Sequence, residues 1–249
     1  MTYMEFFGCA SVAFGPALAM FIFTISNDPV RIIILIASAF FWLLSLLISS
    51  FIWLLWPFKS FLFFGVTCSV IFQELFRYLL YSVLCKAEEG LKRVSMPGTQ
   101  MSSNKQALSY VAGLGFGLMS GAFSLVNILA EVIGPGTMGL HKGDPEDFCI
   151  ISSTITMCFI FLHICWGIIF FEAIDRKNYA MFTYVLSTHL LVSYVTMLNA
   201  SRLYWLSMSV ILVVVSMSAS VAFIISGGSV GSLKAIASKS SRPLTVQAD

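Results

Sequence analysis

Long apolar runs alternate with short polar breaks along the chain, and seven of the runs are long enough to cross a bilayer as helices. The first covers about 4–25, with Gly15-Pro16 inside it, and the turn formers Asn27-Asp28-Pro29 end it. A second, about 32–56, stops at Pro57, and after a short hinge carrying Lys59 a third covers about 61–84. The stretch 85–106 is polar and mixed in charge, with Lys86, Glu88, Glu89, Lys92, Arg93, Lys105 and a Met96-Pro97-Gly98 breaker, which predicts the longest internal loop. The fourth run, about 107–133, ends at Gly134-Pro135-Gly136 and opens a polar loop with His141, Lys142, Asp144, Glu146 and Asp147. A fifth covers 148–171, a sixth 179–198 and a seventh 203–225, separated by the turns 172–178 and 199–202. Gly227-Gly228 breaks the last run, and a serine-rich tail with Lys234, Lys239 and Arg242 has the composition of a solvated, disordered end. The pattern predicts an all-α integral membrane protein, with one seven-helix membrane domain over 1–226 and a disordered tail over 227–249.

Within the fourth run, Gly113, Gly117 and Gly121 recur every four residues and so share one helix face. Lipid tails are as apolar as leucine, so helices in a membrane associate by close packing, and a glycine row lets a second backbone come very near. Ser109 extends the row by one turn, and Ser120 and Ser124 flank it with hydroxyls able to bond across a helix pair. The same spacing also fits the general abundance of glycine in membrane helices. The helix is read here as the packing centre of the molecule.

Composition agrees with the membrane class. Hydrophobic residues make up 58% of the 249 and charged residues 10%, with a mean hydropathy of +0.91, more apolar surface than a water-soluble core of this size can hide. A net charge of +2, without basic runs interleaved with aromatics, gives no reason to expect nucleic-acid binding. Basic residues decide the orientation. With the tail in the cytoplasm, Arg31, Lys86, Lys92, Arg93, Lys105, Arg176, Lys177, Lys234, Lys239 and Arg242 lie inside; Lys59, Lys142 and Arg202 lie outside, and Arg77 sits within a span. That excess predicts a luminal or extracellular N-terminus and a cytoplasmic C-terminus. Ala17-Leu18-Ala19 mimics a signal-peptidase site, but no basic residue precedes it and the apolar run continues past it, so the segment is expected to be retained. The sequon Asn199-Ala200-Ser201 falls on the outer side, so close to the bilayer that glycan addition is not expected.

Cys9, Cys68, Cys158 and Cys165 fall within spans, Cys149 at an outer edge and Cys85 at an inner edge, so no pair suggests a disulfide. The juxtamembrane position of Cys85 also suits palmitoylation. Ionisable groups inside spans are costly and face cavities or partners. His163 is about eight residues from the inner end of the fifth span and His189 about ten from that of the sixth, so antiparallel neighbours would bring them together. Glu74 and Arg77 stand three apart on the third span beside Gln73, the spacing of an ion pair on one helix face. These groups are expected to line one polar pocket.

The catalytic readings are thin. Zinc sites want four ligands, or three and water, and no His-Glu-x-x-His pattern is present, so no metal or cofactor is expected. An aspartate dyad cannot form within the membrane, because Asp28, Asp144, Asp147, Asp175 and Asp249 all fall outside the predicted spans. No Gly-x-Ser-x-Gly elbow occurs. Nor do the motifs fit a rhodopsin-like receptor: the last span has neither an Asn-Pro-x-x-Tyr nor a retinal-binding lysine. A buried, hydrogen-bonded histidine pair is the reading favoured by the residues.

Phe6-Phe7-Gly8-Cys9, Ala13-Phe14-Gly15-Pro16, Asn27-Asp28-Pro29 through Arg31, Phe40-Phe41-Trp42, Gln73-Glu74-Leu75-Phe76-Arg77, the glycine row, Gly134-Pro135-Gly136 and Leu162-His163 through Trp166-Gly167 occur in order along nearly the whole chain. Together they resemble the anterior-pharynx-defective subunit family of gamma-secretase. The resemblance implies a non-catalytic scaffold that binds nicastrin and then receives presenilin, which carries the catalytic aspartates, and the presenilin enhancer subunit. It implies that the complex resides in endoplasmic reticulum, Golgi, plasma and endosomal membranes, and cuts single-pass proteins such as Notch and amyloid precursor protein. It also implies that Gly113, Gly117 and Gly121 are assembly glycines and that His163 and His189 are the family's intramembrane histidines. The alternative is a glutamate- and histidine-dependent or metal-dependent intramembrane hydrolase resembling the prenyl-protein proteases. Against it, the paired glutamate of those enzymes is here Gln73-Glu74, and the spacing to Arg77 is short by one.

Overall fold

The structure is a computed structural model that describes residues 3–55, 62–94, 105–133 and 148–229. Among these residues there is no strand. Seven helices are each long and apolar enough to span a bilayer: α1 (Tyr3–Thr24), α2 (Pro29–Leu55), α3 (Leu62–Val94), α4 (Lys105–Ile133), α5 (Phe148–Asp175), α6 (Tyr179–Val195), which a 3-10 segment (Thr196–Ser201) prolongs, and α7 (Tyr204–Ile225). The chain is an all-α integral membrane protein.

Two of the short turns between described helices, α1–α2 and α5–α6, are built from local polar chemistry. Asp28 caps α2: its Oδ1 accepts from the Val30 N–H at 3.0 Å, and Pro29 takes the first helical position, where a missing N–H costs nothing. Its other oxygen pairs with Arg31 Nε at 3.1 Å, and Arg31 Nη1 donates to the Thr24 carbonyl at 2.6 Å, tying the end of α1 to the start of α2. At the end of α5, Lys177 turns the chain in the left-handed region (φ 52°), and the Asn178 N–H reaches back to the Ala173 carbonyl at 2.8 Å. Asn178 then caps α6, accepting from the N–H groups of Ala180 and Met181 at 3.1 and 3.3 Å.

Two expectations change. Helix α3 does not stop near Leu84 but continues to Val94 through Lys86, Glu88, Glu89, Lys92 and Arg93. These are strong helix formers with no proline among them, so polarity marked where the helix leaves the apolar stretch, not where it ends. The centre of the molecule is also α5 rather than α4: 67% of its membrane-spanning window is buried, against 56% for α4 and 17–28% for the other five, so α5 is the axis. Helix α5 is apolar on every side, which lets it pack against neighbours all round. The Met96-Pro97-Gly98 and Gly134-Pro135-Gly136 breakers, Pro57, Lys59, the loop carrying His141, and Lys234, Lys239 and Arg242 of the tail lie outside the described residues.

Candidate functional site

The glycine row is a seam between α4 and α5. A Cβ added at Gly113 would stand 2.7 Å from the His163 carbonyl oxygen and from the Ile164 Cα; one at Gly117 would stand 2.8 and 2.9 Å from the Ile160 carbonyl oxygen and Cα. At both positions backbone meets backbone, and no side chain fits without moving a helix. Gly121 is different: its nearest neighbours are side-chain ends, Ile160 Cδ1 at 3.0 Å and Thr156 Cγ2 at 3.1 Å. Gly167 of α5 answers from the other side, with the Ser109 carbonyl 2.8 Å and Gly113 Cα 3.0 Å from where its Cβ would be. Ser124 and Thr156 hydroxyls add a bond across the seam at 3.3 Å. Gly115 points away from the row and seats α4 on α2, with the Leu35 carbonyl 2.5 Å and Ser38 Cβ 2.7 Å from its virtual Cβ. Helix α4 is thus packed closely on two sides. Neither Gly115 nor Gly167 was singled out by spacing, yet the alternation in Gly113-Leu114-Gly115-Phe116-Gly117 carried the signal for the former.

One turn of this seam is shared with a buried charged cluster. Glu74 and Arg77, on α3, are 4% and 1% exposed and form the ion pair that their spacing suggested, Arg77 Nε to Glu74 Oε2 at 3.0 Å and Nη2 to Oε1 at 3.2 Å. Arg77 Nη1 also donates to the His163 carbonyl at 3.2 Å, and Nη2 to His163 Nδ1 at 3.0 Å. That carbonyl is the same one that faces Gly113. His189 Nδ1, on α6, meets Glu74 Oε1 at 2.7 Å. The cluster therefore joins α3, α5 and α6, and α4 contributes Phe116, whose ring lies 4.9 Å from the guanidinium carbon.

Hydrogen-bond roles follow from the donor inventory. A guanidinium only donates, so His163 Nδ1 accepts and the ring proton sits on Nε2; a carboxylate only accepts, so His189 Nδ1 donates. The site thus pairs one carboxylate with one guanidinium, and His163, which accepts through Nδ1, is a neutral imidazole. His163 Nε2 has no hydrogen-bond partner among the described residues. Around its ring stand Phe116, Trp166 and His189, with centroids at 6.3, 5.4 and 5.3 Å. Trp166 stacks on His189 at 4.4 Å, and its Nε1 donates to the Thr188 hydroxyl at 3.0 Å.

Gln73 is buried but belongs elsewhere. Its Oε1 accepts from Trp42 Nε1 at 3.1 Å and its Nε2 donates to Ser69 Oγ at 3.1 Å, so it joins α3 to α2 rather than to the histidines. Cys9 of α1 and Cys149 of α5, both free thiols, are in direct contact. Asn199 of the sequon accepts a hydrogen bond from the Ser207 hydroxyl.

The family described as Aph-1 protein matches residues 4–229, both sides of the seam and every member of the cluster included. The chain belongs to the Aph-1 family. It is 52% identical over 228 residues to the gamma-secretase subunit Aph-1 of Drosophila melanogaster, covering 92% of this chain and 95% of the relative. With human gamma-secretase subunit APH-1B it shares 46% identity over 247 residues, 94% of this chain and 93% of that one. The gamma-secretase subunit APH1-like protein of Arabidopsis thaliana is 30% identical over 211 residues, 80% and 83% of the two chains. Similarity along almost the whole chain means that the resemblance seen in the motifs extends through this member of the Aph-1 family's internal loops and last helix.

Proposed function

We propose that this chain is the non-catalytic scaffold and assembly subunit of a gamma-secretase complex. In this reading it binds nicastrin, stabilises presenilin, receives the presenilin enhancer subunit, and so supports cleavage of single-pass proteins such as Notch and amyloid precursor protein. It resides as one membrane domain, 1–226, in endoplasmic reticulum, Golgi, plasma and endosomal membranes, N-terminus luminal, with 227–249 as a disordered cytoplasmic tail. The seam of Gly113, Gly117 and Gly121 and the cluster of Glu74, Arg77, His163 and His189 act by holding the shape that partners recognise.

The observation that carries the reading is the closure of the cluster. Both oxygens of Glu74 are taken, Oε2 by Arg77 and Oε1 by Arg77 and His189, which leaves the carboxylate without the freedom a general base needs. A guanidinium already occupies His163 Nδ1, and a second cation there would meet its repulsion. Among the described residues, Asp28 and Asp175 stand at helix ends, and Asp175 is engaged with Tyr81 and Lys105. Nothing in this arrangement offers paired carboxylates to activate water.

The test is to purify the chain alone and together with presenilin, nicastrin and the enhancer subunit, and to assay cleavage of a single-pass substrate while measuring bound metal. Cleavage is expected only from the complex, without metal bound by this chain. Cleavage by the isolated chain would overturn the scaffold reading in favour of a hydrolase.

A further inference from the structure

Cys9 and Cys149 lie 140 residues apart in the chain, yet their sulfurs are 2.7 Å from each other. Cys9 belongs to the second turn of α1 and Cys149 is the second residue of α5, so the pair sits at one end of the bundle, where both helices have an end. Each side chain is 7% exposed, and Ala13, Leu125 and Leu129 pack around them in a separate small core that ties α1 to α4 and α5. Small neighbours such as Ala10 and Ala13 are what lets α1 come close enough for two thiols to touch. The covalent separation of about 2.05 Å lies a short step inside this contact.

We propose that Cys9 and Cys149 form a disulfide that staples α1 to the head of α5. This rests on the orientation given above, which puts their end of the bundle on the luminal side, where disulfides persist. The oxidant is a luminal disulfide donor of the kind that serves secreted proteins. One cysteine thiolate attacks a donor sulfur, the donor's S–S bond breaks, a mixed disulfide forms and one donor thiol leaves. The second cysteine thiolate then attacks the protein sulfur of the mixed disulfide, the Cys9–Cys149 bond forms, and the second donor thiol leaves. Two protein thiols lose two electrons and two protons, and the donor disulfide gains both. Because the finished pair is buried, exchange takes place before α1 has docked, and packing thereafter shields the bond from reductants. A link closing so long a stretch of chain restricts the unfolded state strongly, and it fixes the first helix on the central one.

The experiment uses the full chain with a tag before Met1, expressed in eukaryotic cells. Cells are quenched in acid to stop exchange, free thiols are blocked with N-ethylmaleimide in denaturant, and disulfides are then reduced and labelled with a maleimide polymer that shifts gel mobility once per thiol. The wild type is expected to gain two labels, Cys9→Ala and Cys149→Ala none, and Cys85→Ala two. A wild type without labels, or a Cys9→Ala protein that keeps both, overturns the disulfide. Protease protection of the tag in sealed microsomes from the same cells reports orientation separately: a tag open to cytosolic protease overturns the orientation, whereas a protected tag with unlabelled wild type overturns the disulfide alone.

Discussion

Replacing Glu74 by Gln keeps the shape of the side chain and removes its charge, leaving the Arg77 guanidinium buried without its counter-charge. Breaking one side of a buried pair costs about 3–5 kcal/mol. Gln73→Leu, one residue away, removes two neutral hydrogen bonds, to Trp42 and Ser69, and should cost about 1–2 kcal/mol. Thermal unfolding of the two variants in the same detergent checks the ordering: Glu74→Gln is expected to melt well below Gln73→Leu, and equal midpoints would contradict the account of the cluster. His163 and His189 belong to one unit, joined through Arg77 and Glu74, so alanine at either should lower presenilin recovery and the double variant should fall no further than the worse single one. Additive losses in co-purification would mean that the two rings act separately. At this scale the sequence was a good guide to Glu74, Arg77 and the matched depth of the histidines, because helical spacing alone determines them. It misled on Gln73, since adjacent residues on a helix point about 100° apart, and which neighbour each direction meets is a tertiary fact. Cys9 and Cys149 met for the same kind of reason: depth along a helix was legible, but not which two helices touch.

The glycine seam makes a graded claim about elements. Gly113 and Gly117 face backbone, so even one methyl must push α4 away from α5, whereas Gly121 faces the flexible end of Ile160 and can admit it. Gly113→Ala and Gly117→Ala are each expected to destabilise by about 1–3 kcal/mol, the usual range for overpacking. Gly121→Ala should cost less than either, and melting midpoints of the three variants, with Gly8→Ala as a control in open space, check the order. Alanine at 117 tolerated as well as at 121 would contradict the backbone contact. The four-residue period announced a seam but not its partner, and it pointed to α4 as the centre. Helix α5 escaped notice because it is apolar all round and offers no stripe to read. The polar end of α3 escaped for the opposite reason: charge looks like loop, while the lysines, glutamates and arginine of 86–93 are helix formers that outweigh Gly90.

For the whole molecule, the seam and the cluster meet at His163, whose carbonyl both faces Gly113 and accepts from Arg77. A helix displaced along the seam therefore disturbs the charged cluster, and the fold responds as one body. Orientation belongs to this scale too. A tag after Asp249 is expected to be digested in intact microsomes and one before Met1 protected; a shielded C-terminal tag would contradict the charge argument.

If the interior serves assembly and not chemistry, as proposed, Gly117→Leu separates the two. The variant and the wild type are expressed at equal level with presenilin, nicastrin and the enhancer subunit, and both the amount of co-purified complex and the cleavage per complex are measured. Recovery of complex is expected to fall sharply while each complex that does form cleaves its substrate at the wild-type rate. Full recovery with cleavage per complex abolished would contradict it.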